Sequence, residues 1–306
     1  MRDVTEAHFL HQRQGLEPVF RPPVQNPTAM AWIPGREELV ACARDGSMHI
    51  IDPVLGTRVA HKDLGEVNVL ALHPDRKRWL GLTRDGEWMV GRFGGGIEHR
   101  GKTGFVSGLE GLWVGDFAVY VGDTANQKKV DGVMEPVREL VILQDGVQKA
   151  RIEVPARVMP LQGENNKLLL ARSNQAGLEV VKFGKEIKFA DIPGTQHRLK
   201  PCGAFVLGFT STGVAIWSRA GGSPRSMRLP DLTTGDIHTS GAFLGLGTRT
   251  GAVALAIVNK LDARARPHLV KAFDQPVSAL AFSDRGRWLA TGAESLQVWT
   301  WEDAEE

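Results

Sequence analysis

The feature that most constrains this chain is that it resembles itself. Shifted by forty residues, Met30-Ala31-Trp32-Ile33-Pro34-Gly35-Arg36 falls on Leu70-Ala71-Leu72-His73-Pro74-Asp75-Arg76. Without a gap, Leu39-Val40 then meets Trp79-Leu80, and Arg44-Asp45-Gly46 meets Arg84-Asp85-Gly86. The unit returns as Leu280-Ala281-Phe282-Ser283-Asp284-Arg285, followed by Arg287-Trp288-Leu289. The apolar runs within it are short and β-branched, and glycine occurs 35 times, so the elements read as strands rather than helices. A unit of about forty residues holding four short strands cannot bury both its faces alone and must stack on its neighbours.

The tight turns between apolar runs give the count. Asp45-Gly46, Asp85-Gly86, Asp131-Gly132, Ala176-Gly177, Thr212-Gly213, Thr250-Gly251 and the Ala293-Glu294 region are spaced 36 to 46 residues apart. Seven such turns predict an all-β chain, a seven-bladed β-propeller of four-stranded antiparallel blades. The strand after the last turn, Leu296-Gln297-Val298-Trp299, nearly exhausts the chain, so the final blade lacks its outer strand. The stretch Leu16–Phe20 is expected to supply it, completing the last blade and removing the free sheet edges. Although 306 residues would suggest two domains, the repeat predicts one, over 16–306, preceded by an extension 1–15. That extension carries Asp3 and Glu6 as a possible capping box, with Gly15 as a stop. Between Tyr120 and Val137 a polar run including Lys128 and Lys129 reads as a projecting loop.

On these residues the chain resembles the WD-repeat β-propeller family. Asp45-Gly46-Ser47-Met48-His49-Ile50-Ile51-Asp52 looks like that family's third strand and preceding turn, with Ile51-Asp52 in place of the Trp-Asp pair. Val214-Ala215-Ile216-Trp217-Ser218 and Leu296-Gln297-Val298-Trp299-Thr300 keep the Trp and lose the Asp. Asp45 and Asp85 match the structural turn aspartate. The Gly-His pair is missing, because Asp63 and Phe273 stand at its place. The resemblance therefore implies a hydrogen-bonded network that is incomplete in every blade. It also implies a role in assembling or positioning other proteins.

Composition and local motifs exclude several function classes. Thirty-seven basic against 35 acidic residues, a net charge of +2, give no electrostatic reason to expect nucleic acid or membrane as partner. Cys42 and Cys202 stand far apart in apolar surroundings and read as buried thiols. The first residues lack the apolar core of a signal peptide, and no apolar run approaches 18 residues, so a cytoplasmic location is expected. Gly96-Ile97-Glu98-His99-Arg100-Gly101-Lys102-Thr103 satisfies the P-loop spacing. The glycine-rich run after it makes a poor helix, and the repeat register makes 96–103 the outer strand and exit turn of the second blade. His8 and His11 have no evident third metal ligand. No catalytic set, cofactor or metal site is expected; the alternative is an enzyme or small-ligand site built around the central channel from scattered residues. Of the eight tryptophans, Trp32, Trp79 and Trp288 fall in inner or second strands and Trp217 and Trp299 in third strands, where core packing accounts for them.

The register also generates a candidate surface. Arg44, Arg84 and Arg249 occupy one place, just before the turn between second and third strands. They should present a basic face, with Lys128 and Lys129 projecting beside them. Arg36, Arg76, Arg78, Arg285 and Arg287 gather in turns on the opposite face. Arginine forks pair bidentately with carboxylates, so the expected partner is an acidic protein segment docked on the first face.

Overall fold

The computed structural model describes residues 16–130, 132–154, 158–162, 168–174, 177–182, 185–188, 198–202, 204–210, 212–218, 224–238, 240–261 and 267–300. The proposed helix in 1–15 and the turn residues Asp131 and Ala176 lie outside them. The strands pair into four-stranded antiparallel sheets, each numbered from the ring axis outward. The first holds β2 (Pro27–Trp32), β3 (Leu39–Ala43), β4 (Met48–Asp52) and β5 (Gly56–His61). The second holds β6 (Val67–Leu72), β7 (Arg78–Thr83), β8 (Glu87–Arg92) and β9 (Ile97–Lys102). In the third are β10 (Phe105–Val114), β11 (Phe117–Val130), β12 (Val133–Gln144) and β13 (Val147–Val154). Next come β14 (Val158–Gln162), β15 (Leu168–Asn174), β16 (Gly177–Lys182) and β17 (Lys185–Lys188). The fifth has β18 (Arg198–Cys202), β19 (Phe205–Thr210), β20 (Gly213–Ser218) and β21 (Arg225–Arg228). The sixth has β22 (Leu232–Ile237), β23 (Phe243–Thr248), β24 (Ala252–Ile257) and β25 (His268–Lys271). The last joins β26 (Ala279–Phe282), β27 (Trp288–Gly292) and β28 (Leu296–Thr300) to β1 (Glu17–Phe20) from the other end of the chain.

The sequence-derived count of seven blades needs correction. A blade is a sheet packed through its side chains, and six sheets are described in that way. Among the described residues they are joined by five interblade cores, between the fifth and sixth sheets, sixth and last, last and first, first and second, and second and third. The sheet of β14–β17 is described by its strand pairing alone, its inner strand lying between β10 and β18.

Burial follows position in the blade. The second strands are covered on both faces, so β3 is buried at every residue and β7 at all but its first. This is why Leu39-Val40-Ala41-Cys42-Ala43 reads as a continuous apolar run without polar alternation. Outer strands such as β9 are largely exposed. Among residues given by backbone and side chain, Cys42 and Cys202 are free and buried. Burial pushes the Cys42 thiol up to about 12 and the Cys202 thiol well above its ordinary value. No helix among the described residues is long and apolar enough to cross a membrane.

Neighbouring blades are also stitched by polar groups at repeated positions. Trp32 Nε1 donates to the carbonyl of Ala281 at 3.0 Å, and Trp113 Nε1 does the same to Ala71 at 3.2 Å. Each indole thus reaches from one inner strand to the inner strand before it. In the other direction, Thr28 Oγ1 donates to the Val67 carbonyl, Thr233 Oγ1 to Val277 (2.6 Å) and Ser278 Oγ to Pro27 (3.1 Å). Ser278 and Trp32 therefore tie the last blade to the first. Strand β1 completes the closure, with Glu17, Pro18 and Phe20 opposite Thr300, Trp299 and Val298. Gln297 Nε2 adds a bond to the Phe20 carbonyl at 3.0 Å.

Candidate partner-docking face

The three candidate arginines occupy one structural site. The amide of Arg44 donates to the Asn26 carbonyl (3.1 Å), that of Arg84 to Glu66 (2.8 Å) and that of Arg249 to Asp231 (2.7 Å). In each case the acceptor is the residue immediately before the inner strand of the same blade. The following turn is closed alike, by Gly46 to Ala43, Gly86 to Thr83 and Gly251 to Thr248. Each of these glycines has φ between +75 and +83°, which a side chain would strain. Their carbonyls accept from Leu64, from Thr103, and from Ala272 and Phe273, in the connections leading to the next blade. The turns and the blade connections thus share one face of the ring.

Pairing on that face departs from the expected free basic ring. Glu66 lies between two blades, its Oε1 3.8 Å from Arg44 Nε and its Oε2 3.6 Å from Arg84 Nη1. Both guanidinium side chains remain about two-thirds exposed (66% and 71%), so they share one carboxylate and keep donors turned to solvent. Sequence reasoning missed Glu66 because it belongs to the lead-in of β6 and not to either arginine's turn. Arg249 is exposed and makes no ion pair among the described residues.

The polar run 122–132 is not a loop. Strands β11 and β12 continue through it as a hairpin, with Gln127, Lys128, Lys129 and Val130 opposite Pro136, Glu135, Met134 and Val133. Its root is a partly buried bidentate pair, Arg138 Nε to Asp123 Oδ1 at 2.7 Å and Nη2 to Oδ2 at 3.2 Å. Thr124 Oγ1, bonded to the Val137 carbonyl (3.1 Å), closes the irregular step between Asp123 and Gln127. The hairpin is the second-to-third-strand connection of its blade, so it rises from the face that carries the arginines. Lys128 pairs with Glu153 at 2.9 Å, whereas Lys129 makes no ion pair among the described residues. Val130, Val133 and Met134 are 40%, 62% and 56% exposed at its tip.

The repeat positions do structural work in varied ways. Asp45 Oδ1 accepts from the Ser47 amide (2.9 Å) and Ser47 Oγ (2.6 Å), which hold its carboxyl below its ordinary value. Asp85 makes no such bond; there Thr83 Oγ1 accepts from the Glu87 amide instead, as Thr248 does from Ala252. Asp52 Oδ1 caps the next turn, accepting from Val54 and Leu55 at 2.8 and 3.0 Å. In the last blade Glu294 takes up the missing turn contact, its two oxygens accepting from the amides of Asp274 and Gln275. Trp299 Nε1 donates to Thr291 Oγ1 at 2.7 Å. At the equivalent place in the fifth sheet, where Gly208 replaces that threonine, buried Trp217 has an indole nitrogen with no partner among the described residues.

One cluster has the parts of a nucleophile and base. Ser47 Oγ lies 2.8 Å from His49 Nε2 as well as against Asp45. Since the hydroxyl donates to the carboxylate, Nε2 carries the proton and donates to the hydroxyl, so this imidazole cannot deprotonate it. Burial also lowers the His49 pKa, and its Nδ1 has no partner to orient it as a base. The cluster staples a turn.

The P-loop spacing resolves into strand β9, with Lys102 Nζ on Glu87 (2.9 Å) and buried Thr103 Oγ1 bonded to the Gly86 carbonyl (3.0 Å). Facing the axis, Lys200 Nζ donates to the Gly235 carbonyl (2.8 Å) and sits 3.8 Å from Asp236, which accepts from the Phe282 amide. These charges are consumed within the ring. On the opposite face, Arg78 is drawn in by Asp75 (2.7 Å) and Asp116 (2.6 Å) and covers Trp113. No group of three metal-ligating side chains gathers among the described residues.

Residues 267–302 match the family model of the WD domain, G-beta repeat. This segment spans β25 and then β26 to β28, and it contains the Thr291–Trp299 bond. No curated protein matches the chain. Among solved structures, the WD40 β-propeller domain of Doa1 is similar over 95% of this chain and 98% of that one, with a TM-score of 0.69 at 11% identity. At that identity the likeness is one of fold.

Proposed function

We infer that the chain is a propeller of the WD-repeat kind and that it serves as a non-catalytic docking platform, holding partner proteins in a complex. Both its repeat match and its fold point to propellers that commonly act as interaction scaffolds. A rigid ring fixes loops of independent sequence on a broad face, and partners read those loops. The face in use is the one bearing Arg44, Arg84 and Arg249, and the partner contributes an acidic segment in the cytoplasm. The observation that carries this reading is the identical backbone seating of the three arginines. Three guanidinium groups, with one carboxylate between two of them, stand on the same side as an exposed hairpin. Carboxylates arriving there find forked donors that are already positioned.

The test compares the wild type with the Arg44→Glu, Arg84→Glu, Arg249→Glu triple variant as bait in lysate of the native cell, with quantitative mass spectrometry. Partners of the wild type should fall at least tenfold in the variant. An unchanged partner set would refute the assignment of this face.

A further inference from the structure

The hairpin beside the arginines has an open strand edge. Strand β10 pairs with β11 only up to Phe105 opposite Thr124, and β13 pairs with β12 only up to Val154 opposite Arg138. Beyond these points the hairpin is a two-stranded ribbon whose flanks meet no other strand among the described residues. Such ribbons are marginal in water on their own, and open edges invite another strand. Here the partly buried Asp123–Arg138 pair keeps the root fixed.

The two edges are not equivalent. Val130 and Val133 flank two residues, so they form a hydrogen-bonded pair, with amides and carbonyls turned inward. Alternation makes Lys128–Glu135 the next such pair. Lys129–Met134 and Gln127–Pro136 are then non-bonded pairs, whose backbone groups point out of the ribbon. On the β12 edge one outward position is Pro136, which has no amide, so that edge is blunted. On the β11 edge Gln127 and Lys129 both keep a donor and an acceptor. That edge lies on the β10 side, toward the ring axis and the neighbouring second sheet whose turn carries Arg84.

We propose that the β11 edge at Gln127 and Lys129 receives an extended acidic segment of a partner protein as an added antiparallel strand. This rests on the docking reading above and specifies its geometry. The charge of the occupant follows from its surroundings: Lys129 makes no ion pair among the described residues, and Arg84 of the neighbouring second sheet shares Glu66 with Arg44. Main-chain bonds give the attachment, and alternate acidic side chains reach the guanidinium groups.

The experiment uses the full chain and two fluorescein-labelled heptapeptides of alternating glutamate and valine, one with free backbone amides and one N-methylated throughout. Fluorescence anisotropy should show binding of the first, with at least tenfold weaker binding of the second. Gln127→Pro and Lys129→Pro remove outward donors and should each weaken the first peptide tenfold or more, whereas Lys129→Ala, which keeps the amide and loses only the charge, should weaken it less than Lys129→Pro. In the wild type, amide exchange at Gln127 and Lys129 should slow on binding while that at Lys128, already bonded inward, is unchanged. This readout does not depend on how the proline variants fold. Equal binding of both peptides, or no protection at these two amides, overturns strand addition and leaves docking on the arginine face standing. If neither peptide binds, or the triple arginine reversal leaves binding unchanged, the docking reading falls and this inference with it.

Discussion

Replacing Thr291 by valine removes the acceptor of an indole bond in the last blade, together with the hydroxyl's long donation to the Gln297 carbonyl at 3.5 Å. Thr291 is fully buried and Trp299 is 4% exposed, and the indole nitrogen donates to the threonine hydroxyl at 2.7 Å. Valine keeps the shape and removes the acceptor, so a buried N–H is left without a partner. Such an orphan costs about 1–3 kcal/mol. With an unfolding entropy of about 2.1 cal/mol/K per residue over 306 residues, that lowers the melting temperature by about 2–5 °C. The assay is urea and thermal unfolding of a double-mutant cycle with Trp299→Phe, whose ring has no N–H to satisfy. In that background Thr291→Val should cost less than about 0.5 kcal/mol, giving a coupling of roughly 1 kcal/mol or more. Trp217 supplies a natural comparison: its indole has no partner among the described residues, so Trp217→Phe should lose less than Trp299→Phe. An equal loss from Thr291→Val in both backgrounds would show that volume and packing, not this bond, set the cost.

Other outcomes follow from the same structure. Burial raises the Asp75 pKa, but the amides of Lys77 and Arg78 and the Arg78 guanidinium outweigh it and hold the carboxyl well below its usual range. A depressed folded value means stability present above the unfolded carboxylate pKa of about 4 and lost as pH falls below it. Asp75→Asn should therefore destabilise at pH 7, with the difference from wild type shrinking below pH 4 in acid unfolding curves. With the Cys42 thiol pushed up to about 12 and the Cys202 thiol well above its ordinary value, both should resist iodoacetamide at pH 8 in the native chain and react on unfolding, as read by mass spectrometry. Gly251→Ala should cost well over the roughly 1 kcal/mol of a positive-φ glycine, because its Cβ would meet the Phe273 carbonyl at 2.2 Å. Gly132→Ala, with open space around it, should cost only about that amount in the same denaturation assay.

What the sequence made legible was whatever repeats locally. Arg44-Asp45-Gly46 and Arg84-Asp85-Gly86 sit in matching turns because a tight turn needs its residues within a few positions of one another. The missing Gly-His pair was also visible. The substitutes for it were not, since Glu294 caps amides twenty residues away and Ser47 and His49 use the near side of their own turn. The hairpin 122–132 looked like a loop because its polar residues alternate along a ribbon wet on both faces, with no apolar period to betray strands. Its anchor, Asp123 with Arg138, joins residues fifteen positions apart. Trp113 repeats the bond of Trp32 at a position the forty-residue shift does not reach, because irregular pairing lengthens β10. Glu66 was hidden for a different reason: a surface charge acquires its meaning from a neighbour in the adjacent blade.

Because Glu17 lies opposite Thr300 in the last sheet, the order in which the strands are written along the chain is separable from the ring they build. A short linker could join residues 17 and 300, and a new start could be cut at the exposed Val54-Leu55 turn. Such a circular permutant should fold to the same ring, with the old seam made continuous and a new one opened in the first blade.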